Sequence, residues 1–170
     1  MGVLIREATD NDREDLARLL LDFRSEHSRM IGGEGIVTLA EAADEVQENL
    51  GRQDTGYFVV LDSASQRLIG FRRWELHDEF YFTRELYVIP DMRGRGVARE
   101  LIRHFEQWLL EKGQDYACIS CTPHNVTMMM LARSEGYRIL NMIEMAKHLG
   151  ENPATPRSQT EAVGLKWKVR

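Results

Sequence analysis

The chain has 170 residues, of which 43% are hydrophobic and 29% are charged, as is typical of one globular domain. Its longest apolar runs, of four or five residues, are far shorter than the roughly 20 residues that span a bilayer, and its two cysteines are too few for a disulfide scaffold. The formal net charge of −5 disfavours nucleic acid as a partner and is compatible with a cationic amine as a substrate. We therefore expect a single cytoplasmic domain over residues 1–170, with neither a membrane nor a nucleic acid as its partner.

The first part of the chain predicts a strand followed by two amphipathic helices. Residues 3–8 alternate around an apolar pair, as a short strand does. The first helix is predicted to begin at an N-cap on Thr9 or Asp10, and the second at a capping box formed by Thr38 and Glu41. Both helices carry apolar residues at helical spacing, and a glycine-rich loop separates them.

The rest of the chain predicts strands first and then alternating helices and strands. Three strand-like runs lie at residues 56–61, 67–76 and 79–89, and their short polar connections predict antiparallel hairpins. After Pro90 we predict a helix from residue 97 to 112, a strand at 116–122, a helix at 125–135, a strand at 137–149, a loop at 150–161 and a strand at 163–169. This order predicts an α+β fold with a single mixed sheet.

The most informative segment for function is E-L-Y-V-I-P-D-M-R-G-R-G-V-A, residues 85–98. It is a strand, a proline, a glycine-containing turn with arginines, and the start of a helix. Glycines let backbone N–H groups approach an anion, and the helix adds its unpaired N–H groups and the positive end of its dipole. The segment therefore predicts a diphosphate site. A dinucleotide fingerprint fits less well, because Arg99 stands where the third glycine of that motif is required.

The segment resembles the acetyl-CoA signature of the GNAT superfamily of N-acetyltransferases, R/Q-x-x-G-x-G/A. Arg93, Gly96 and Ala98 occupy its defined positions, and Leu86 to Pro90 resembles the fourth strand of that family. Asn125 and the pair Gly136-Tyr137 also match the family's pattern for the helix that follows. The resemblance is specific over residues 79–137 and generic elsewhere.

The resemblance implies a mostly antiparallel mixed sheet with helices on both faces, and acetyl-CoA as the acyl donor without a metal. It implies that the backbone groups of Leu86, Tyr87 and Val88 bind the pantetheine arm and the thioester carbonyl. It implies that Asn125 contacts pantetheine and that the diphosphate is held by Arg93, Gly94, Arg95, Gly96, Val97, Ala98 and Arg99. The family's reaction is direct attack of a neutral amine on the thioester, so we expect a primary amine of a small molecule or peptide as the acceptor.

Glu85 is the predicted catalytic residue, because it lies beside the expected thioester site and an alkylammonium with a pKa of about 10.4 must lose a proton. The alternative is that Glu85 is paired with an arginine, either Arg73 across the sheet or Arg84 of a neighbouring chain. Glu75 and His77 on the adjoining strand are alternative candidates for the catalytic residue. His27 and Met30 are candidates for the acceptor pocket.

Other features of the sequence also bear on function. Cys118 and Cys121 form a C-x-x-C with His124 nearby, but residues three apart on a strand point to opposite faces, so we interpret them as ordinary strand cysteines. The methionines at 128–130 are interpreted as a core face. Ala132 stands where the family commonly has a tyrosine that protonates departing coenzyme A, which keeps open a non-catalytic acyl-CoA-binding or regulatory module as the alternative. Apolar residues between 139 and 145 predict a dimer contact.

Overall fold

The computed structural model describes residues 2–32, 37–139, 158–162 and 165–169 of the chain. The chain divides into two compact units, Met1–Cys121 and Thr122–Arg170. The first unit contains β1 (Val3–Glu7), α1 (Arg13–Ile31), α2 (Leu39–Leu50), β2 (Thr55–Asp62), β3 (Leu68–His77), β4 (Phe80–Val88), α3 (Val97–Glu111) and β5 (Cys118–Ile119). The second contains α4 (Val126–Ser134), β6 (Ser158–Ala162) and β7 (Leu165–Val169).

The sheet of the first unit has the order β1-β2-β3-β4-β5. Neighbouring strands are antiparallel from β1 to β4, and β5 joins β4 in parallel. The two predicted hairpins and the predicted mixed, mostly antiparallel sheet are thus confirmed. Consecutive residues of β2 point to opposite faces of the sheet, as the pleat requires.

The two faces of β2 contact different helices. The hydroxyl of Tyr57 accepts a hydrogen bond of 2.8 Å from Asn49 on α2, whereas the ring of Phe58 lies 6.3 Å from that of Phe105 on α3. The predicted arrangement of helices on both faces is therefore confirmed. On the α3 face, the fully buried Arg72 of β3 donates to the carbonyl of Leu101 at 3.0 Å and so ties α3 to the sheet.

One helix start was predicted correctly and the other was not. The capping box at α2 is present, with 3.2 Å from the Glu41 amide to the Thr38 hydroxyl and 2.8 Å from the Thr38 amide to the Glu41 carboxylate. The α-helix itself starts one turn later than predicted: Thr9 is an N-cap, but of a short 3-10 turn at Asp10–Asp12, and α1 begins at Arg13. Asp12 stabilises this turn, because its carboxylate accepts from the Thr9 amide at 2.8 Å and pairs with a strand arginine.

A β-bulge in β4 and the shortness of β5 leave one edge of β4 uncovered. Arg73 of β3 pairs with Glu85 and the next residue pairs with Thr83, so Arg84 is the extra residue of β4. In the described residues, β5 pairs with β4 only as far as Thr83. From Arg84 onward, the side of β4 that faces away from β3 has no neighbouring strand among the described residues.

Several predicted boundaries differ from the structure. The predicted strand at 116–122 is only two residues long, since its pairing with β4 ends at Thr83, next to the bulge. The predicted loop at 150–161 is wrong at its end, where β6 pairs with β7 as an antiparallel hairpin. Of the predicted strand at 137–149, residues 137–139 have no regular structure and the remainder lies outside the described residues. Within the part of the chain described, no helix is long and apolar enough to cross a membrane.

Candidate functional site

The glycine-containing turn between β4 and α3 has the backbone geometry of an anion site. Gly94 has φ 72° and Gly96 has φ 87°, a left-handed conformation that residues with a side chain adopt at a cost. A Cβ added at either position would meet no described atom within 4 Å. The glycines are therefore required by the backbone conformation, and the turn borders open space rather than packed protein.

The first turn of α3 adds donors to this turn. Gly96 is the N-cap residue, and no described side chain caps the helix. The first backbone hydrogen bond of the helix runs from Glu100 to Gly96, so the amides of Val97 and Ala98 precede the ladder and have no partner within the helix. With the dipole of a 15-residue helix behind them, these amides favour a bound anion such as a diphosphate. The exposed Arg95 and the half-buried Arg99 lie on the same turn.

Arg93, the first residue of the signature, is held by protein groups. Its Nε donates to the Val88 carbonyl at 2.8 Å, and its Nη2 lies 2.9 and 2.8 Å from the two carboxylate oxygens of Glu26 on α1. Its guanidinium also lies 5.4 Å from the ring centre of Tyr87. Burial and the neighbouring Glu26 raise the pKa of Tyr87 to about 12, so the phenol is neutral near pH 7. In this structure Arg93 fastens the turn to α1 and β4.

The uncovered edge of β4 presents backbone amides. The amide of Ile89 donates to Ile69 on β3, and because ladder bonds alternate along an antiparallel strand, Leu86 and Val88 direct their N–H groups away from β3. The carbonyl of Val88 already accepts from Arg93. The N–H groups of Leu86 and Val88 thus lie along the edge that β5 does not reach, while Tyr87 directs its backbone groups toward β3.

Glu85 is a buried carboxylate with two arginine neighbours. Its side chain is only 4% exposed, and its Oε1 lies 2.7 Å from Nη2 of Arg24. Nε of Arg73 lies 3.2 Å from Oε2, which is close enough for ionic attraction but not aligned as a hydrogen bond. Burial raises the pKa of Glu85, and the two guanidinium groups oppose that rise. The Arg73 pairing that was the alternative interpretation is therefore present.

Sequence reasoning missed Arg24 on α1 and Glu45 on α2. Nη2 of Arg24 also lies 2.6 Å from Oε1 of Glu45, so one guanidinium joins both helices to β4. The only sequence signal is that each residue adjoins an apolar position of its helix, Phe23 and Val46. Such borders are ordinary in amphipathic helices and do not identify a site by themselves.

The substitute candidates lie in less suitable surroundings. Glu75 pairs with Arg84 at 2.7 Å, and His77 is 64% exposed at the end of β3. His27 packs 5.7 Å from the ring of Phe23, and burial, followed by the charge of Arg24, lowers its pKa. Met30 is half-buried near the end of α1.

The two cysteines are free thiols. Cys118 lies in β5 and is buried, whereas Cys121 follows the end of that strand and is exposed, so the prediction of two strand cysteines is wrong for Cys121. Burial raises the pKa of the Cys118 thiol, so that thiol is protonated and a poor nucleophile near pH 7.

The second unit contains the remaining candidate residues. Asn125 is the N-cap of α4, and its side-chain oxygen accepts from the Met128 amide at 3.0 Å. Ala132 is buried within α4. The prediction of a core face at 128–130 is wrong for its last two members, since Met129 and Met130 are 47% and 68% exposed.

Solved structures with the same fold are numerous, and three illustrate the range. A probable acetyltransferase is 18% identical with a TM-score of 0.72, over 90% of this chain and all (100%) of its own. An aminoglycoside N-acetyltransferase, AAC(6')-Iy in complex with CoA, is 18% identical with a TM-score of 0.71, over 88% of this chain and 96% of its own. A transcriptional regulator from Bacillus halodurans is 15% identical with a TM-score of 0.68, over 86% of this chain and 100% of its own. These identities establish the fold alone.

The sequence itself provides the family assignment. No curated protein matches the chain at a significant level. The family model for the acetyltransferase (GNAT) family matches residues 17–137, which include the bulged strand β4, the glycine turn, α3 and α4. Since that match spans well over half of the 170 residues, the chain belongs to the acetyltransferase (GNAT) family.

Proposed function

We propose that this protein transfers the acetyl group of acetyl-CoA to a primary amine of a small molecule or peptide by direct attack. The observation that carries the proposal is the turn at Gly94 and Gly96, which faces open space and leads into an uncapped helix start. Acetyl-CoA would supply the activated thioester. The chain's own part is to hold the donor, to orient the amine and to accept its proton.

Two groups of backbone donors suit the two ends of the donor molecule. The turn from Gly94 to Arg99 suits the diphosphate, because the amides at the start of α3 precede the helix ladder and lie at the positive end of the helix dipole. The amides of Leu86 and Val88 suit the pantetheine arm and the thioester oxygen. A donor directed at an oxyanion is typically worth about 10²–10³ in rate. Asn125 is assigned to pantetheine by the family resemblance.

Proton transfer is the less conventional part of the proposal. Glu85 is assigned to the acceptor's proton, since its Oε2 accepts no hydrogen bond from a described residue. No tyrosine stands at position 132 to protonate coenzyme A. A thiol has a pKa of about 8.5, so its thiolate already leaves readily near neutral pH.

Calorimetry with a matched pair of glycine variants tests the donor site. Gly96→Ala should abolish measurable acetyl-CoA binding, because the strained turn moves its amides out of place. Gly113→Ala is the control. Gly113 lies at the other end of α3, has φ 74° and has equally open surroundings, so an alanine there introduces a similar backbone strain away from the proposed site. Equal affinities for the two variants would contradict the diphosphate site.

A second assay separates the enzyme from a non-catalytic acyl-CoA-binding or regulatory module, which Ala132 favours. Release of free thiol is followed with acetyl-CoA over a panel of primary amines and peptides. Tight binding without release above the hydrolytic background for every amine would support the module. The proposal also includes one cytoplasmic domain that forms a homodimer, and a monomeric mass in solution at micromolar concentration would count against the dimer.

A further inference from the structure

Three elements bring charged side chains together around Glu85. Arg24 of α1 uses one atom, Nη2, to contact Glu45 of α2 at 2.6 Å and Glu85 of β4 at 2.7 Å. The two carboxylates therefore lie within a few ångströms of each other and share a single cation. Arg73 of β3 reaches the other oxygen of Glu85. The charge that Glu85 carries thus depends on side chains from both helices.

The two contacts of Arg24 differ in kind. The contact with Glu45 is an aligned hydrogen bond between side chains that are 30% and 33% exposed. The contact with Glu85 joins Arg24 to a carboxylate that is only 4% exposed. Glu45, the more exposed partner, thus holds Arg24 in place, while the charge of Arg24 acts on the buried Glu85. A buried carboxylate is costly to ionise unless such a cation is present.

Each neighbour of Glu85 acts on its protonation with a definite sign. Burial favours the neutral acid and raises its pKa, Arg73 and Arg24 favour the carboxylate, and Glu45 again favours the acid. Tyr57 of β2 faces the same group, but burial raises the pKa of its phenol, so it stays neutral near pH 7. Arg24 and Glu45 therefore act on Glu85 in opposite directions.

We propose that Arg24 and Glu45 are positioning residues that together set the protonation state of Glu85, and through it the lowest pH at which amine transfer proceeds. The proposal rests on the proposed function, because it takes Glu85 as the group that receives the acceptor's proton. The proton moves from the acceptor's ammonium to the Glu85 carboxylate. The nitrogen keeps the electron pair that attacks the thioester carbon, so the N–C bond forms. The C–S bond then breaks, coenzyme A leaves as the thiolate, and the second proton of the nitrogen passes to that thiolate. Only the ionised carboxylate can take that proton, so the neighbours that control its ionisation control the reaction.

Titration of the Glu85 carboxyl by ¹³C NMR tests the first half without any need for activity. The signal is assigned by its loss in Glu85→Gln. Arg24→Gln should raise the midpoint by about one pH unit or more, as loss of an opposite charge at this distance does. Glu45→Gln should lower it, because a like charge is removed. Arg24→Lys should stay near the wild-type value, since the charge remains.

The control is Arg18→Gln, on the same helix, whose side chain is 56% exposed and pairs with Glu14 and Asp15. It removes an α1 arginine without touching Glu85, and its midpoint should match the wild type. If Arg24→Gln fails to fold, as judged by circular dichroism, the Glu45→Gln and Arg24→Lys arms still decide. Shifts of the same sign in Arg24→Gln and Glu45→Gln, or no shift in Glu45→Gln, would overturn the proposal.

The pH profile of kcat/KM tests the second half. The acidic limb should move upward in Arg24→Gln and downward in Glu45→Gln, in step with the NMR midpoints, with acetyl-CoA affinity unchanged. If the acidic limb of the kcat/KM profile stays fixed while the NMR midpoints of Glu85 move, the proposal is overturned, because another group then limits the reaction. The proposed acetyltransferase activity would still stand in that case. Absence of turnover with every amine would instead refute the proposed function and the pH limit built on it. The NMR midpoints would still decide whether Arg24 and Glu45 control the ionisation of Glu85.

Discussion

A substitution at Gly70 of β3 should displace the proposed donor-binding edge of β4, because β3 lies on the other side of that strand. Gly70 lies opposite Val88 of β4, and a Cβ at this position would lie 2.5 Å from the Tyr87 carbonyl oxygen and 3.0 Å from Cγ1 of Val60. Ordinary contacts of a Cβ are 3.4–4 Å, and a backbone atom cannot rotate away as a side chain can. Gly70→Ala should therefore push β4 outward by roughly 1 Å beside Tyr87 and Val88.

Both stability and binding should suffer from that displacement. Overpacking typically costs about 1–3 kcal/mol, and each kcal/mol lowers the melting temperature of a chain of this size by about 2–4 °C. A misplacement of about 1 Å can cost on the order of 10²-fold in rate, so kcat/KM should fall by roughly that factor. The dissociation constant of acetyl-CoA, measured by calorimetry well below the melting temperature, should rise by about tenfold or more, equivalent to roughly 1.4 kcal/mol.

Gly56→Ala is the matched control for the loss of stability. A Cβ there would lie 2.8 Å from the ring of Trp74, so it also overpacks the sheet, but it meets a side chain between β2 and β3. It should lower the melting temperature while leaving acetyl-CoA affinity within about twofold, since the edge of β4 does not move. If Gly70→Ala binds acetyl-CoA as tightly as Gly56→Ala does, the assignment of the donor to β4 is refuted.

Three other substitutions give distinct expectations. Hydrogen bonding to Arg6 lowers the pKa of Asp12, so its stabilising effect is present above the unfolded-state value of about 3.9 and is lost as pH falls through the folded-state value. Asp12→Asn should thus lower the melting temperature at pH 7, and the melting temperatures of variant and wild type should converge as the pH falls below the pKa of Asp12. An equal difference in melting temperature at neutral and at acidic pH would contradict the linkage. Glu85→Gln should lower the rate by roughly 10²-fold at unchanged acetyl-CoA affinity, whereas full activity across pH 6 to 9 (the range chosen for the assay) would move the role to Glu75. Ala132→Tyr should change the maximal rate by less than about tenfold, because a thiolate needs little help to leave, and a much larger gain would show that the missing acid limits the protein.

Local sequence was enough to predict the elements that depend on neighbouring residues. The capping box of Thr38 and Glu41 spans four residues, and the glycine turn needs only the conformations of Gly94 and Gly96. Amphipathic spacing located the helices, and short polar connections identified the two hairpins, because these patterns act over a few residues. The start of α1 was placed one turn early because a 3-10 turn capped by Thr9 precedes it, and the pairing of Asp12 with Arg6 of β1 in that turn is a contact that helix propensity does not encode.

Tertiary structure decided the surroundings of the candidate base. Arg24, Glu45 and Glu85 are 21 to 61 residues apart in the sequence. They meet only because α1 and α2 pack on the same face of the sheet, which is the face to which Glu85 of β4 directs its side chain. The bulge at Arg84 and the early end of β5 likewise arise from pairing between strands, which has no local signature. The sequence by itself therefore determined the family and the glycine turn that we propose as the donor site, because both reside in contiguous residues. Only the fold determined the ionic partners of Glu85, because long-range charge contacts depend on how distant segments pack.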